Sequence, residues 1–409
     1  MNNIKIYHNC GFRYNWNFDI YKKDKVGYGF ILSPKDMEKN FLANIEDEII
    51  SKSFFDSQFY NLGYINNQYL SYGFFDCVDS ISDYLKQRNK IAKKNIDYQE
   101  SINLEYITIP TIDFDLLDEV VYENIYSELP NKIDDINGNN NLNLLNELII
   151  LPFTNYIKQI NTEKKILLTV IFDESIAVNN DRFNTLLTMI TNNDIIDGIY
   201  LIPKCKRTYK RISDIQFLFK IMEFIHNLKR VNMEVIVGNC DIESLLYLVA
   251  GADGISFGIY ENLRYYDGNR FIEDSGPRIG PNPRLFSYKL LQWIDYNYLY
   301  PLNDKFDIKD LFDDNEYYEL TKIEGYKWHF LKSEPYKHYM ISFKKILDNI
   351  PKNSLEKIEY VNNLLIDAVK MNTNIENCGI ILDENSSGIH LNQWRTVLIK
   401  YRNEILGSD

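Results

Sequence analysis

Cysteine is scarce in this chain of 409 residues, and its five cysteines are widely scattered. No two of them form a Cys-x-x-Cys pair, the spacing by which disulfide frameworks and structural zinc sites are usually recognised. The five histidines show no close metal-ligand spacing either. We therefore expect reduced thiols, no metal ion and no other cofactor.

Long apolar runs and an excess of basic charge are also missing. No stretch approaches the roughly 20 apolar residues that a membrane helix needs, and the N-terminus lacks the basic head and apolar run of a signal peptide. The formal net charge of −13 argues against nucleic-acid binding over the whole surface, although it leaves room for a local basic groove. We expect a cytoplasmic protein with no membrane partner.

Short β-rich runs recur along the chain, and helical patterns follow most of them. The runs are residues 4–8, 28–33, 53–58, 106–112, 166–172, 198–203, 234–239 and 254–258. This alternation is typical of βα units and a parallel sheet. No Gly-x-Gly-x-x-Gly follows the first run, which disfavours an open doubly wound sheet. The sequence thus predicts an α/β fold, a (β/α)8 TIM-type barrel over residues 1–300, with a polar surface insertion at about 131–146.

Helical periodicity is clearest in the later part of the chain. Ser213 is a plausible N-cap for one helix, and Asp241 for the next. Beyond residue 301 two apolar stripes recur at helical spacing: Leu355, Ile358, Val361, Leu365 and Val369, and then Leu391, Trp394, Leu398 and Tyr401. Residues 301–409 are therefore predicted to be a mainly helical appendage that packs on the barrel or contacts a protein partner.

Polar residues follow several predicted strands, at the barrel end that normally carries the active site. Asp56 ends the third strand, and Asp113 and Asp115 end the fourth, where strand alternation points only one of them inward. Paired carboxylates can transfer protons and stabilise developing positive charge. The competing interpretation is that Asp56 caps the next helix, as Asp173 and Glu174 are expected to do after the fifth strand.

Basic residues form two groups after the later strands. The first follows strand six and comprises Lys204, Lys206, Arg207, Lys210 and Arg211. The second follows strand eight and comprises Arg264, Arg270, Arg278 and Arg284, interleaved with Tyr265, Tyr266 and Phe271. Arginines among aromatic rings suit phosphate binding and base stacking. Either group could equally be a solvated or internally packed loop.

Several segments resemble the tRNA-guanine transglycosylases, zinc-containing TIM-barrel enzymes that exchange guanine for a 7-deazaguanine, with a related branch that modifies DNA. Residues 54–60, Phe-Phe-Asp-Ser-Gln-Phe-Tyr, look like the family's Asp-Ser-Gly-Gly-Phe-Gln motif. Residues 106–115 fall where the family has a base-recognising aspartate, and residues 234–256 resemble its last two strands. The resemblance covers roughly residues 4–270. It implies catalytic roles for Asp56, Asp113 and Ser256, with Ser256 or a nearby carboxylate acting on the sugar. It also implies substrate contacts from Ser57, Gln58, Asp115, Gly238, Asn262 and Arg264.

Two departures qualify this resemblance. Ser256 stands where the family has its nucleophilic aspartate, and the cysteine-rich zinc segment is missing. The resemblance implies base exchange or N-glycosidic cleavage on tRNA or DNA. A first alternative is a catalytically inactive barrel that binds a nucleobase or nucleic acid. A second is a metabolic barrel that grips phosphate at the loops after strands seven and eight, through backbone amides and a helix N-terminus.

Overall fold

Eight parallel strands in the order β3-β2-β1-β8-β7-β6-β5-β4 form a nearly closed barrel. The computed structural model describes residues 4–63, 67–76, 78, 80–119, 122–123, 125, 140–272, 280, 282–322 and 325–407. The strands are β1 Lys5–Asn9, β2 Gly29–Leu32, β3 Phe54–Phe55, β4 Tyr106–Ile109, β5 Lys165–Asp173, β6 Gly198–Lys204, β7 Glu234–Val237 and β8 Gly254–Gly258. All eight predicted strands are confirmed, as is the (β/α)8 fold class.

The helices that alternate with these strands form the outer layer of the barrel. They are α1 Asn15–Asp24, α2 Lys39–Leu42, α3 Asp47–Ile50, α4 Asn67–Tyr72, α5 Ile81–Ser101, α6 Asn140–Leu145, α7 Leu151–Ile160, α8 Glu174–Val178, α9 Asn180–Thr191, α10 Ile215–Arg230 and α11 Ser244–Val249. A π-helical turn, Asn146–Ile150, joins α6 to α7. The predicted insertion at 131–146 is thus partly wrong, because its last residues are helical with buried leucines; residues 131–139 lie outside the described chain.

Because β3 is only two residues long, the seam between β3 and β4 is closed by one backbone hydrogen bond and by side chains. The backbone N–H of Glu105 donates to the Ser53 carbonyl at 3.0 Å. Next to it, the amide of Gln99 on α5 accepts from the Thr108 N–H at 2.8 Å and donates to the Thr108 carbonyl at 2.9 Å. Gln99 therefore pairs with the free edge of β4 as a neighbouring strand would.

Aromatic rings fill much of the barrel interior. The buried residues of this inner cluster are Tyr7, Ile31, Phe54, Tyr60, Tyr106, Leu167, Tyr200, Ile202, Ile236, Tyr266 and Phe271. At the N-terminal end of the barrel, Lys5 forms ion pairs with Glu234 at 2.7 Å and with Glu105 at 2.9 Å. The interior is thus a packed core, and a substrate would approach from the opposite end, where the strands reach their carboxyl termini. We call that end the mouth.

The C-terminal region packs against the outside of the barrel. It contains a hairpin of β9 Arg284–Ser287 and β10 Gln292–Asp295, followed by α12 Leu299–Lys305, α13 Glu316–Thr321, α14 Glu334–Asp348, α15 Ser354–Asn377 and α16 Ile389–Tyr401. Trp394 on α16 donates to the Ile212 carbonyl at 2.8 Å, and Tyr401 bonds His226 on α10 at 3.1 Å. The predicted helical character is confirmed, and most of both apolar stripes is buried, although Leu355 is exposed.

Two helix starts differ from prediction. α10 is capped by Asp214, whose side chain accepts from the Phe217 N–H at 2.8 Å, and not by Ser213. α11 begins at Ser244 without a side-chain cap, so the expectation that Asp241 caps it is wrong. Among the described residues, no helix is both long enough and apolar enough to cross a membrane.

Candidate active site

Asp56 lies directly after β3, at the mouth, and is almost fully buried. Its Oδ1 accepts from the Gln58 N–H at 3.0 Å, and its Oδ2 accepts from the Tyr60 hydroxyl at 2.7 Å. The next helix begins only at residue 67, so the carboxyl closes a tight turn and does not cap a helix.

The environment of Asp56 changes its acidity. Burial raises the pKa of Asp56 to about 6, against the opposing effect of the hydrogen bonds from Tyr60 and Gln58. A carboxyl with a pKa near the pH of the cell can both accept and donate a proton.

The two residues after Asp56 face other parts of the structure. The Ser57 hydroxyl accepts from Asn95 on α5 at 2.8 Å, and the Gln58 carbonyl accepts from the Tyr69 hydroxyl at 3.2 Å. Gln58 also has a left-handed backbone, with φ of 54°, which completes the turn around Asp56. The structure therefore gives these two predicted substrate contacts a supporting position behind Asp56.

Asp113 is the inward member of the pair after β4. It is buried, and its Oδ1 accepts from Lys204 Nζ at 2.6 Å while its Oδ2 accepts from the Tyr266 hydroxyl at 2.9 Å. Asp115 is largely exposed and meets Lys204 from the solvent side, also at 2.6 Å. Burial alone would lower the pKa of Lys204, but the two carboxylates raise it above its usual value.

Three aromatic rings connect and cover the two buried carboxyls. Tyr60, which bonds Asp56 through its hydroxyl, also accepts from the Asp113 N–H through its carbonyl at 2.9 Å. The rings of Tyr266 and Phe271, from the segment after β8, make edge-to-face contacts with the Tyr60 ring at centroid distances of 5.3 and 4.8 Å. Asp56 and Asp113 thus belong to one cluster under a cover of rings.

Ser256 lies within β8 and faces the barrel interior. It pairs with Tyr7, whose ring is part of the inner cluster. Its Oγ is buried and has no hydrogen-bond partner among the residues that the structure describes. A serine hydroxyl needs an adjacent base to become a nucleophile, and none is in contact with this one.

Gly238 makes room for another interior ring. A Cβ on this residue would lie 2.2 Å from the Tyr200 ring, too close for any side chain. Tyr200 in turn donates to the Asn239 side chain at 3.4 Å. The predicted substrate contact at Gly238 is therefore a packing position against Tyr200.

Three of the predicted cationic contacts on the β6–β8 side, Arg207, Arg211 and Arg264, belong to a buried ionic network. Asp241 accepts from Arg264 at 3.0 Å and pairs with Arg211 at 3.3 Å, while Arg207 pairs with Glu243 at 2.8 Å. Burial would raise the pKa of Asp241, but its arginine neighbours hold it below the usual value. Here Asp241 holds two loops together, which explains why it does not cap α11.

The C-terminal region covers this network. The guanidinium of Arg264 lies 4.1 Å from the centre of the Trp293 ring on β10, and Arg211 donates to Gln292. The Asp241 N–H donates to Glu243 at 3.2 Å, which places a carboxylate at the start of α11. A phosphate-gripping site after β7 would need those donors for its ligand, so the geometry disfavours it.

The remaining predicted cations divide into paired and unpaired groups. Lys210 pairs with Glu261 at 2.6 Å, and Arg270 pairs with Asp36 at 3.2 Å while donating to the Asn262 carbonyl at 3.1 Å. Lys206 is exposed and makes no ion pair with a described residue. Arg278 lies outside the described residues.

The sequence alone assigns no role to Tyr60, and for Tyr266 and Phe271 it leaves base stacking and loop packing both open. The signal for Tyr60 was present, since it follows Asp56 by four residues within the same motif. Tyr266 reaches Asp113 from 153 positions away, which no local pattern could indicate. Within the described residues, no group of three or more His, Cys, Asp or Glu side chains could hold a metal ion.

Comparison of the chain with protein-family models, with curated proteins and with solved structures finds no match.

Proposed function

We propose that this chain acts on a nucleobase at a site where Asp56 transfers protons and Asp113 recognises the base, as the resemblance to the tRNA-guanine transglycosylases implies. The observation that carries this proposal is the buried Asp56 carboxyl at the mouth, whose pKa is raised to about 6 by burial. A carboxyl whose pKa is shifted toward neutrality is common at sites where a protein transfers protons. The reaction class is N-glycosidic cleavage or base exchange on tRNA or DNA.

Asp113 is proposed to recognise the base. Its two oxygens accept from Lys204 and from the Tyr266 hydroxyl, so a base that presents N–H donors could replace the hydroxyl without leaving the carboxylate unpaired. Burial, and then the Asp113 and Asp56 carboxylates, raise the pKa of Tyr266 well above its usual value, which keeps its hydroxyl a donor. Entry of a flipped base would require Tyr266 and Phe271 to move aside.

The surroundings of Ser256 favour a reaction without a covalent serine intermediate. Because no base contacts its Oγ, we propose that water or the incoming base attacks the sugar C1′ directly. Neutral Asp56 would protonate the leaving base as its bond to C1′ breaks, and the resulting carboxylate would then accept the proton of the water or incoming base that attacks C1′. Both steps use the Asp56 carboxyl, whose pKa burial raises to about 6.

Labelled substrates test this proposal. The protein would be incubated with radiolabelled guanine or a 7-deazaguanine and unlabelled tRNA or DNA, and in parallel with base-labelled polymer and no free base. We expect label to enter or leave one of the polymers, with a loss of at least a hundredfold in Asp56→Asn. Asp367→Asn, an exposed substitution of the same chemistry on α15, is the matched control. Equal turnover by Asp56→Asn and wild type would contradict the assignment.

A binding protein without turnover is the second candidate, and the unactivated Ser256 is the observation that favours it. Equilibrium binding of the same tRNA and DNA pools separates the two. Specific binding of one pool, with neither incorporation nor release of label, would support the binder. Absence of both binding and turnover would rule out both candidates.

A further inference from the structure

A cavity of about 340 Å³ opens at the mouth beside Asp115 and Lys204. It lies at the carboxyl ends of β4, β5 and β6, where their following loops meet. Its lining residues are Asp115, Asn141, Asp173, Glu174, Ser175, Arg182, Lys204, Cys205 and Lys206. A smaller cavity of about 50 Å³, lined in part by Asp113, shares Asp115, Asn141, Asp173 and Arg182 with the larger one.

The carboxylates of this cavity are already bound to donors. Asp115 pairs with Lys204 at 2.6 Å. Asp173 caps α8, accepting from the Ile176 N–H at 3.0 Å. Glu174 accepts from the Lys206 backbone N–H at 2.7 Å. These acidic groups therefore hold the walls of the cavity in place.

Two of the cations in the cavity have no such partner. Neither Arg182 nor Lys206 forms an ion pair with a described residue, and the Nε of Arg182 is buried without a hydrogen-bond partner. The donors left over for a ligand are therefore cationic, although the whole chain carries a net charge of −13. A guanidinium beside an ammonium is the usual donor set for a phosphate.

We infer that this cavity is an anion subsite, built from Arg182 and Lys206, that receives a phosphate of a nucleotide substrate. The assignment to a nucleotide rests on the proposed function, because the neighbouring smaller cavity is lined by Asp113, the proposed base-recognising group. The presence of an anion site rests on the cavity alone. The cavity is also large enough for a sugar phosphate, since its volume is several times that of one water molecule.

Calorimetric titration with inorganic phosphate, guanosine monophosphate and guanosine tests the inference. The site variant Arg182→Gln/Lys206→Gln removes both unpaired cations. The control Lys158→Gln/Arg402→Gln removes the same two charges from exposed positions on α7 and just after α16, outside this cavity. Thermal unfolding of both variants would establish that they are folded.

We expect wild type and control to bind inorganic phosphate, and to bind the monophosphate at least tenfold more tightly than guanosine. The site variant should lose phosphate binding and bind the monophosphate and guanosine equally. Equal preference for the monophosphate in site variant and control would overturn the inference, as would failure of wild type to bind phosphate. None of these readouts depends on turnover, so an inactive protein that keeps the preference would contradict the proposed function and leave the anion subsite standing.

Discussion

The two sides of the barrel mouth use similar charged residues in opposite ways. On the β6–β8 side, Asp241 lies between Arg211 and Arg264, and the C-terminal hairpin covers all three. On the β3–β5 side, Asp56 has no cation within ion-pairing distance among the described residues, and its hydrogen bonds come from a tyrosine and a backbone amide. Pairing thus lowers the pKa of Asp241, while burial raises that of Asp56 against two hydrogen bonds and the more distant charge of Arg270.

Among the buried carboxyls of the mouth, those without a paired cation are the better candidates for proton transfer. Both partners of a buried ion pair stay charged near neutral pH, and the pair mainly holds together the loops that carry them. A buried carboxyl without a cation can change its protonation near neutral pH, at some cost in stability. The chain therefore combines one side whose buried charges are paired and covered by the C-terminal hairpin with another side that carries the unpaired Asp56 and an open cavity.

The largest effect is expected on the sealed side. Asp241→Asn leaves Arg211 and Arg264 buried without a counter-charge, and should lower the free energy of unfolding by about 3–5 kcal/mol. Urea denaturation followed by circular dichroism measures this. Asp115→Asn, at an ion pair that is mostly solvated, is the control and should cost less than about 1 kcal/mol. Similar losses of unfolding free energy in Asp241→Asn and Asp115→Asn would contradict the distinction between the two sides of the mouth.

The next effect has the opposite sign, and it concerns Asp56. The folded protein binds the Asp56 proton up to pH about 6, whereas the unfolded chain releases it near 4, so the stability contributed by this group falls as the pH rises through that window. Asp56→Asn should therefore raise the free energy of unfolding at pH 7.5 by about 1–3 kcal/mol. Below pH 4 both proteins should be equally stable.

Denaturation curves at pH 3.8, 5, 6 and 7.5 check this prediction. The difference between Asp56→Asn and wild type should grow through the series and level off above pH 7. A variant less stable than wild type at pH 7.5 would mean that the ionised carboxyl is stabilising, like that of Asp241.

A smaller loss is expected at the link between the rings and Asp113. Tyr266→Phe removes the hydroxyl that donates to Asp113 but keeps the ring, so the expected cost is about 1 kcal/mol. Tyr265→Phe is the matched control, because the Tyr265 ring contacts Arg207 through its face and the substitution keeps that contact. Thermal or chemical unfolding distinguishes them, and an equal effect of both substitutions would show that the hydroxyl bond to Asp113 contributes nothing.

The fold could be predicted from the sequence because its signals are local. The strand runs and the helices that follow them are read from a few neighbouring residues, and all eight runs became strands. Boundaries were less exact: β3 ends at Phe55, although the run continues to residue 58, since the chain turns there to bring Asp56 under Tyr60. The N-cap of α10 is Asp214, one residue after the predicted Ser213. Because both residue types are good N-caps, the sequence alone does not distinguish them.

The site could be predicted only in part. Strand position correctly indicated that Asp56 and Asp113 would reach the mouth, and alternation correctly allowed only one of Asp113 and Asp115 to face inward. The basic groups were harder, because the carboxylates that pair with Arg270 and Arg211 lie 234 and 30 positions away. A run of cations in a sequence does not indicate which of them will meet acids in the fold. Arg182, which belongs to neither group, forms no ion pair with a residue that the structure describes, and its buried Nε has no hydrogen-bond partner there.

The most direct test of the division between the two sides is a ¹³C NMR titration of the aspartate carboxyl carbons. The signals of Asp56 and Asp241 would be assigned from their absence in the Asp56→Asn and Asp241→Asn spectra. We predict a titration midpoint near pH 6 for Asp56 and no titration of Asp241 between pH 4.5 and 8. A midpoint below pH 4 for Asp56 would contradict the account, because the carboxyl would then be ionised throughout and could not serve as the acid–base group of the mouth.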